Sequence, residues 1–302
     1  MAINLTQVKN ELFPGLKDVK GRYEMIPTQW TQAFDKGTSK MALERTSMVR
    51  YLAAAALKND GGATTFDNSA GDRFIYSQVH QQIGLGYAIT SNAIADNLYK
   101  QQFNPMNLGL VDSFNQTKEI LGANILNTAT TVNAQVGGDG VALCSTVHPF
   151  DGGNNANTFA TQLDLNEGSL ESATISITNF RNQAGLKIFA RGRKLIVPRA
   201  LEYTASRILY TELRPGTANN DINAMRQQGA LPDGMAVMDF LTSNFAWFVR
   251  TDKTGLNYLE REPFEIDMQV DPITRNLLVI GFERYSFGYD DPLSIFGSFP
   301  TA

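Results

Sequence analysis

Three observations in the sequence predict an α+β fold. Leu110, Phe114, Leu121 and Ile125 recur at helical spacing within one unusually long segment, with Lys118 and Glu119 on its other side. Strand-like runs gather in the C-terminal third, at residues 235–241, 246–250, 264–270 and 276–287. No fixed-period repeat or charge block appears, and one long helix with a few shorter ones precedes most of the strands, which favours strands and helices kept in separate layers.

Taken in order, residues 1–27 read as an arm, with a turn at Phe13-Pro14-Gly15 and a close at Pro27. Residues 28–86 form a long excursion. Trp30, Phe34, Met41, Leu43 and Met48 are scattered there among charges, and residues 51–57 read as an apolar helical patch. Asn59-Asp60-Gly61-Gly62 marks a turn, and residues 64–66 and 74–79 suit strands. Thr90 or Ser91 caps a helix carrying Ile94 and Leu98. Asn104 then caps the long helix, placing Pro105 at the first position, where its missing N–H costs nothing. Running to about Thr131, that helix is roughly 40 Å long at about 1.5 Å per residue. Gly137-Gly138-Asp139-Gly140 ends it, and residues 151–155 form a polar loop. A short amphipathic helix carries Leu170, Ala173, Ile177 and Phe180. A strand at 188–197 stops at Pro198, and a helix with Leu201, Ala205, Ile208 and Leu209 ends before Arg214-Pro215-Gly216.

Composition narrows the function. With 302 residues, 43% hydrophobic and 19% charged, the chain can bury a sizeable core, as two domains or as one core with large excursions. No run of 18 apolar residues occurs, and the first 16 residues lack the apolar stretch of a signal peptide. The single cysteine, Cys144, excludes an intrachain disulfide framework and a thiolate zinc cluster. These features fit a soluble protein kept in a reducing compartment. A net charge of −4 is the wrong sign for affinity-driven nucleic-acid binding.

Catalytic patterns are sparse. Cys144 and His148 could form a thiolate–imidazole couple or part of a metal site, but Pro149 breaks the helix that would align them. Gly84-Leu85-Gly86 lacks the third glycine of a dinucleotide fingerprint, and residues 137–140 lack the Lys-Ser/Thr of a phosphate loop, so both read as turns. Asp290-Asp291, ahead of Pro292, reads as a solvated turn. No metal or cofactor is expected. The aromatic residues of the excursion say more. Trp30, Phe34, Phe66, Phe74 and Tyr76 lie on a segment too sparse to bury them alone, which makes them candidate inter-subunit anchors.

The order of elements resembles the major capsid protein of tailed bacteriophages, of the Hong-Kong-ninety-seven-like fold, and is similar to the Mu-like major head subunit group. Three stretches carry the resemblance. The first is Leu85-Gly86-Tyr87-Ala88-Ile89-Thr90, leading into Asp96-Asn97-Leu98-Tyr99 and residues 113–119. The second is Leu143-Cys144-Ser145-Thr146-Val147-His148-Pro149, followed by Lys194-Leu195-Ile196-Val197-Pro198. The third is residues 215–223, with Trp247-Phe248 and Arg284-Tyr285-Ser286-Phe287-Gly288.

The resemblance implies an N-terminal arm at 1–27, an extended loop at 28–85 and a peripheral domain with its spine helix at 86–193. It further implies an axial domain at 194–280 and a return to the peripheral domain at 281–302. Pentamers and hexamers would build an icosahedral head around double-stranded DNA, which the subunit confines without sequence-specific binding. The implied partners are a separate scaffolding or protease protein and a portal at one vertex, with no membrane. Assembly would take place in the bacterial host cytoplasm. Lys36, Lys40 and Lys58 lie in the loop where some relatives cross-link, but no motif marks their partners. Two other readings compete: an encapsulin-like compartment shell, and a soluble enzyme using Cys144 and His148.

Overall fold

A computed structural model of the chain describes residues 21–96, 100–213 and 222–301. Residues 1–20 of the arm, Asn97-Leu98-Tyr99 of the first resemblance stretch, Arg214, and residues 215–221 of the third stretch lie outside the described residues.

Two four-stranded sheets and one long helix organise the chain. Strands β1 (Asp35–Thr38), β4 (Gln81–Ile89), β10 (Leu256–Val270) and β11 (Leu277–Tyr289) form the first sheet, in the order β1-β10-β11-β4. Only β1 runs parallel to its neighbour there. Strands β7 (Gly192–Val197), β8 (Met235–Val237), β9 (Trp247–Thr251) and β12 (Ile295–Ser298) form the second, in the order β12-β9-β7-β8. Between β1 and β4 the chain leaves as a hairpin of β2 (Leu43–Arg50) and β3 (Gly71–Val79). A small ribbon pairs β5 (His148–Phe150) with β6 (Gly153–Asn155).

The helices are α1 (Ser91–Ala95), α2 (Lys100–Asn127), α3 (Glu167–Thr178), α4 (Glu202–Tyr210) and α5 (Ala224–Gln227). Thr90 caps α1, its hydroxyl accepting from the Ala93 N–H at 3.3 Å. Asn166 caps α3 in a reciprocal capping box with Ser169. The long helix α2 begins at Lys100, earlier than Asn104 and Pro105 suggested, so Pro105 lies inside it at the sixth position. There its ring forfeits one helical hydrogen bond, close enough to the N-terminus for the helix to continue.

One stripe of α2 is buried along its length. Phe103, Leu110, Val111, Phe114, Ala123 and Leu126 lie on it, facing the first sheet. Gly122 sits where a Cβ would come within 3.0 Å of the Trp30 side chain and 3.2 Å of the Phe287 ring, so the helix approaches its aromatic bed closely.

The second sheet is buried on both faces. Ile196 and Phe248 enter one core with Trp30, Leu126 and Tyr258, while Leu195, Val197, Trp247 and Val249 enter a second core under α3 and α4. Period-two alternation on β7 and β9 thus feeds two hydrophobic clusters from a single sheet.

Several local expectations change. Gly84 and Gly86 lie within β4 instead of a turn, because a Cβ on Gly86 would stand 2.8 Å from the Val279 carbonyl oxygen of β11. Residues 51–57 form no helix. Seven residues with no core beneath them cannot recover the cost of nucleating one. Asp290 and Asp291 are only partly exposed. The Asp291 carboxyl accepts from the Leu293 N–H at 2.9 Å and starts a 3-10 turn at Pro292–Ser294.

Candidate assembly surfaces

The excursion is anchored at its base and bare at its tip. Arg50 at the end of β2 and Arg73 near the start of β3 both bond Asp151, on the turn of the β5–β6 ribbon. Arg73 also donates to the Gln183 carbonyl at 3.0 Å. These guanidinium groups hold the Asp151 carboxyl below the usual carboxylate range, with the Arg50 bond the largest cause. Asp67 closes the loop across its neck, accepting from the Ala53 and Ser69 N–H groups at 2.8 and 2.9 Å.

At the pivot where the hairpin leaves the sheet, buried His80 links Ser39 at 2.9 Å to Ser286 of β11 at 3.1 Å. Burial, with Arg284 and Arg261 nearby, pushes its imidazole below the usual histidine value. Beyond the clamp, every residue from 51 to 70 except Asp67 is exposed. Tyr51, Leu52, Leu57 and Phe66 therefore face solvent. Replacing Asp151 with Asn is expected to raise backbone hydrogen exchange across β2 and β3 while moving the thermal midpoint little, since exposed ion pairs contribute about 0–1 kcal/mol each. Unchanged exchange in the hairpin would refute the clamp.

A family model described as phage capsid protein matches residues 75–296. The chain belongs to this family. It is a major capsid protein with the Hong-Kong-ninety-seven-like fold. The virus-like particle from Pyrococcus furiosus is similar over 96% of this chain and 100% of that chain, with a TM-score of 0.57 and 9% identity. The capsid of an empty GTA particle is similar over 93% and 97%, with a TM-score of 0.56 and 11% identity. Microbacterium phage Oxtober96 gives 91% and 92%, a TM-score of 0.53 and 10% identity. At these identities the likeness is one of fold. No curated protein matches the sequence.

In this capsid subunit the five aromatic candidates separate. Trp30, Phe34 and Tyr76 are buried in their own chain, so for these three, packing against a neighbour gives way to self-burial. The physical reason is long-range. The Trp30 ring lies 4.3 Å from Tyr258, and the Gln29 and Trp30 N–H groups donate to Glu119 of α2 at 2.6 and 3.0 Å. Strand β3 is stitched to the glycine turn after α2, with Ser77 N donating to Val136 O at 2.7 Å and Tyr76 lying over Gly138. Phe74 is half-buried against the same core. Phe66, at 83% exposure, is the one candidate of the five left open to solvent.

Cys144 and His148 do not form a couple. Burial pushes the Cys144 thiol far up, away from the reactive thiolate. The His148 ring is engaged on both sides, by Asp139 at Nδ1 (2.6 Å) and by the Asn157 Oδ1 at Nε2 (3.1 Å). Asn157 in turn donates to the carbonyls of Leu143, Pro292 and Ile295, tying the C-terminal strand into the core. Among the described residues no group of three or more His, Cys, Asp or Glu side chains is placed to hold a metal ion. No helix among them is long and apolar enough to cross a membrane.

The residues sequence reading missed are Arg50, Arg73 and Asp151. Arginines at the two ends of the loop were a visible signal, but their shared partner lies 101 positions from Arg50 and 78 from Arg73.

Proposed function

We propose that this capsid protein assembles as pentamers and hexamers into an icosahedral head around double-stranded DNA, by burying its clamped, apolar-tipped hairpin against a neighbouring copy. The carrying observation is the exposed loop 51–70, whose Tyr51, Leu52, Leu57 and Phe66 enter no core among the described residues. Loops this long without internal structure are uncommon unless they serve a function.

The same reading assigns the arm to 1–27, the extended loop to 28–85 with its reaching part at the β2–β3 hairpin, the peripheral domain to 86–193, the axial domain to 194–280 and the C-terminal return to 281–302. It makes the role structural and not catalytic, with assembly in the host cytoplasm, a separate scaffolding or protease protein, and a portal at one vertex. The net charge of −4 suits a wall that confines DNA without gripping it. An encapsulin-like compartment shares the fold, but the family match favours the phage head.

Electron microscopy of the purified protein, with and without co-expressed scaffold, tests the assembly. Closed shells or rings of five and six subunits are expected. Replacing residues 54–66 with a short Gly-Ser linker is expected to abolish particles while the subunit still folds, because the deletion spares β1 and β4 of the first sheet. Normal particles from that variant would remove the loop from the mechanism.

A further inference from the structure

Strand β4 is a sheet edge that carries none of the usual protections. It pairs with β11 on one side, and among the described residues its backbone has no other strand partner. It is nine residues long and free of register shifts. From Gln81 to Ala95 the chain carries no Asp, Glu, Lys, Arg or Pro. Gln82, Gly84, Leu85, Gly86 and Ala88 are exposed. Natural sheets blunt such edges with charges, prolines, bulges or brevity.

The other edges of this molecule are blunted. On the opposite side of the same sheet, β1 has four residues and carries Asp35 and Lys36. In the second sheet β8 has three residues, and β12 has four and is buried throughout. The hairpin strands carry Glu44, Arg45, Asp72 and Arg73, with a bulge after Met48. A bare edge on a chain that otherwise protects its edges marks a site of strand addition.

One exposed segment of the same chain has matching chemistry. Residues 51–57, Tyr-Leu-Ala-Ala-Ala-Ala-Leu, are uncharged, exposed at every position and outside any helix or strand. The Ala53 N–H is held by Asp67 across the loop, leaving the backbone from Ala54 to Leu57 without a hydrogen bond among the described residues. The run follows an eight-residue strand, about 27 Å of extended chain at about 3.4 Å per residue. Its small alanines suit the Gly84, Gly86 and Ala88 face of β4, where a bulky partner would find no matching relief.

We infer that residues 51–57 of one copy add as a strand to the β4 edge of a neighbouring copy, an inference that rests on the shell reading above. Hairpin meeting edge is a head-to-tail contact, the type that closes into rings. Main-chain bonds supply the affinity, and the absence of charge on both segments supplies the fit.

Disulfide trapping within assembled particles tests the pairing. Leu85→Cys is combined in turn with Ala54→Cys, Ala55→Cys and Ala56→Cys, since paired strand residues place their Cα atoms within disulfide reach. The native Cys144 is buried and does not interfere. Oxidised particles of at least one pair are expected to run as a ladder of linked subunits, with every single variant staying monomeric. Intact shells without a ladder overturn the pairing and leave the shell reading standing. Linked dimers from Leu85→Cys alone also overturn it, because the edge would then meet itself. Failure of the unmodified protein to form particles, even with scaffold, removes both readings. Hydrogen exchange on unmodified protein gives an independent readout. The amides of β4 are expected to slow at least tenfold on assembly, and unchanged rates overturn the proposal even if the cysteine variants assemble poorly.

Discussion

Lys118→Met is expected to cost about 3–5 kcal/mol of subunit stability, the usual penalty for stranding a buried charge. The Lys118 ammonium lies 2.8 Å from Glu283 Oε2, with both side chains nearly sealed from solvent. Rings of Tyr285, Tyr23 and Tyr258 surround it at 4.8, 5.0 and 5.5 Å. Tyr23 donates to the same carboxylate oxygen at 2.8 Å, while Oε1 has no partner. Methionine would fill the volume and leave Glu283 charged among aromatic rings. In a chain of this size the thermal midpoint should fall by roughly 5–10 °C. Adding Glu283→Gln should recover more than half of the loss, since the amide oxygen still accepts from Tyr23 and no charge remains. Burial already pushes the Glu283 carboxyl up, so the penalty should shrink on acidification as that group takes a proton. Additive losses in the double-variant cycle would disprove the coupling.

Asp291→Asn should have the opposite sign. Burial, with Asp290 beside it, pushes the Asp291 carboxyl from 3.8 up to about 6. A carboxyl raised by folding favours the folded state fully below its unfolded value, and that advantage is lost as pH rises through the folded value. The window here is about pH 4 to 6, and the loss above it is about 3 kcal/mol at about 1.36 kcal/mol per unit. Asparagine keeps an oxygen for the Leu293 N–H and carries no charge to desolvate. The variant should match the native subunit at pH 4 and exceed it by about 3 kcal/mol at pH 7.5 in denaturant unfolding. Equal stability at both pH values would mean that Asp291 is solvated or compensated.

How far the sequence could be read depended on whether the deciding contact was local. The amphipathic helices α3 and α4 and the strands at 192–197 and 247–251 follow from side-chain period alone, because each buries one face on a core. Strand β1, Asp35-Lys36-Gly37-Thr38, has no apolar alternation and exists because β10 lies beside it. Gly84 and Gly86 resemble turn punctuation, yet Gly86 serves the close approach of β11. Trp30 and Tyr76 look unsupported along the chain because their partners, Glu119, Tyr258 and Gly138, lie some sixty to two hundred and thirty positions away. Phe66, expected from the sequence to need a partner, is left uncovered by the described residues, and so is the run at 51–57, which the sequence suggested as a helical patch.

The sheet that feeds two cores also decides how the subunit bears force. Strands β7 and β9 present Ile196 and Phe248 to one cluster and Leu195, Val197, Trp247 and Val249 to the other. Prising the halves apart would strip both clusters at once, so no compliant seam exists between the part beside the long helix and the part beneath α3 and α4. A push from inside the container would pass through this plate as through a single panel. Under the assembly proposed above, any give in the wall lies between panels, at the hairpins and edges that join them.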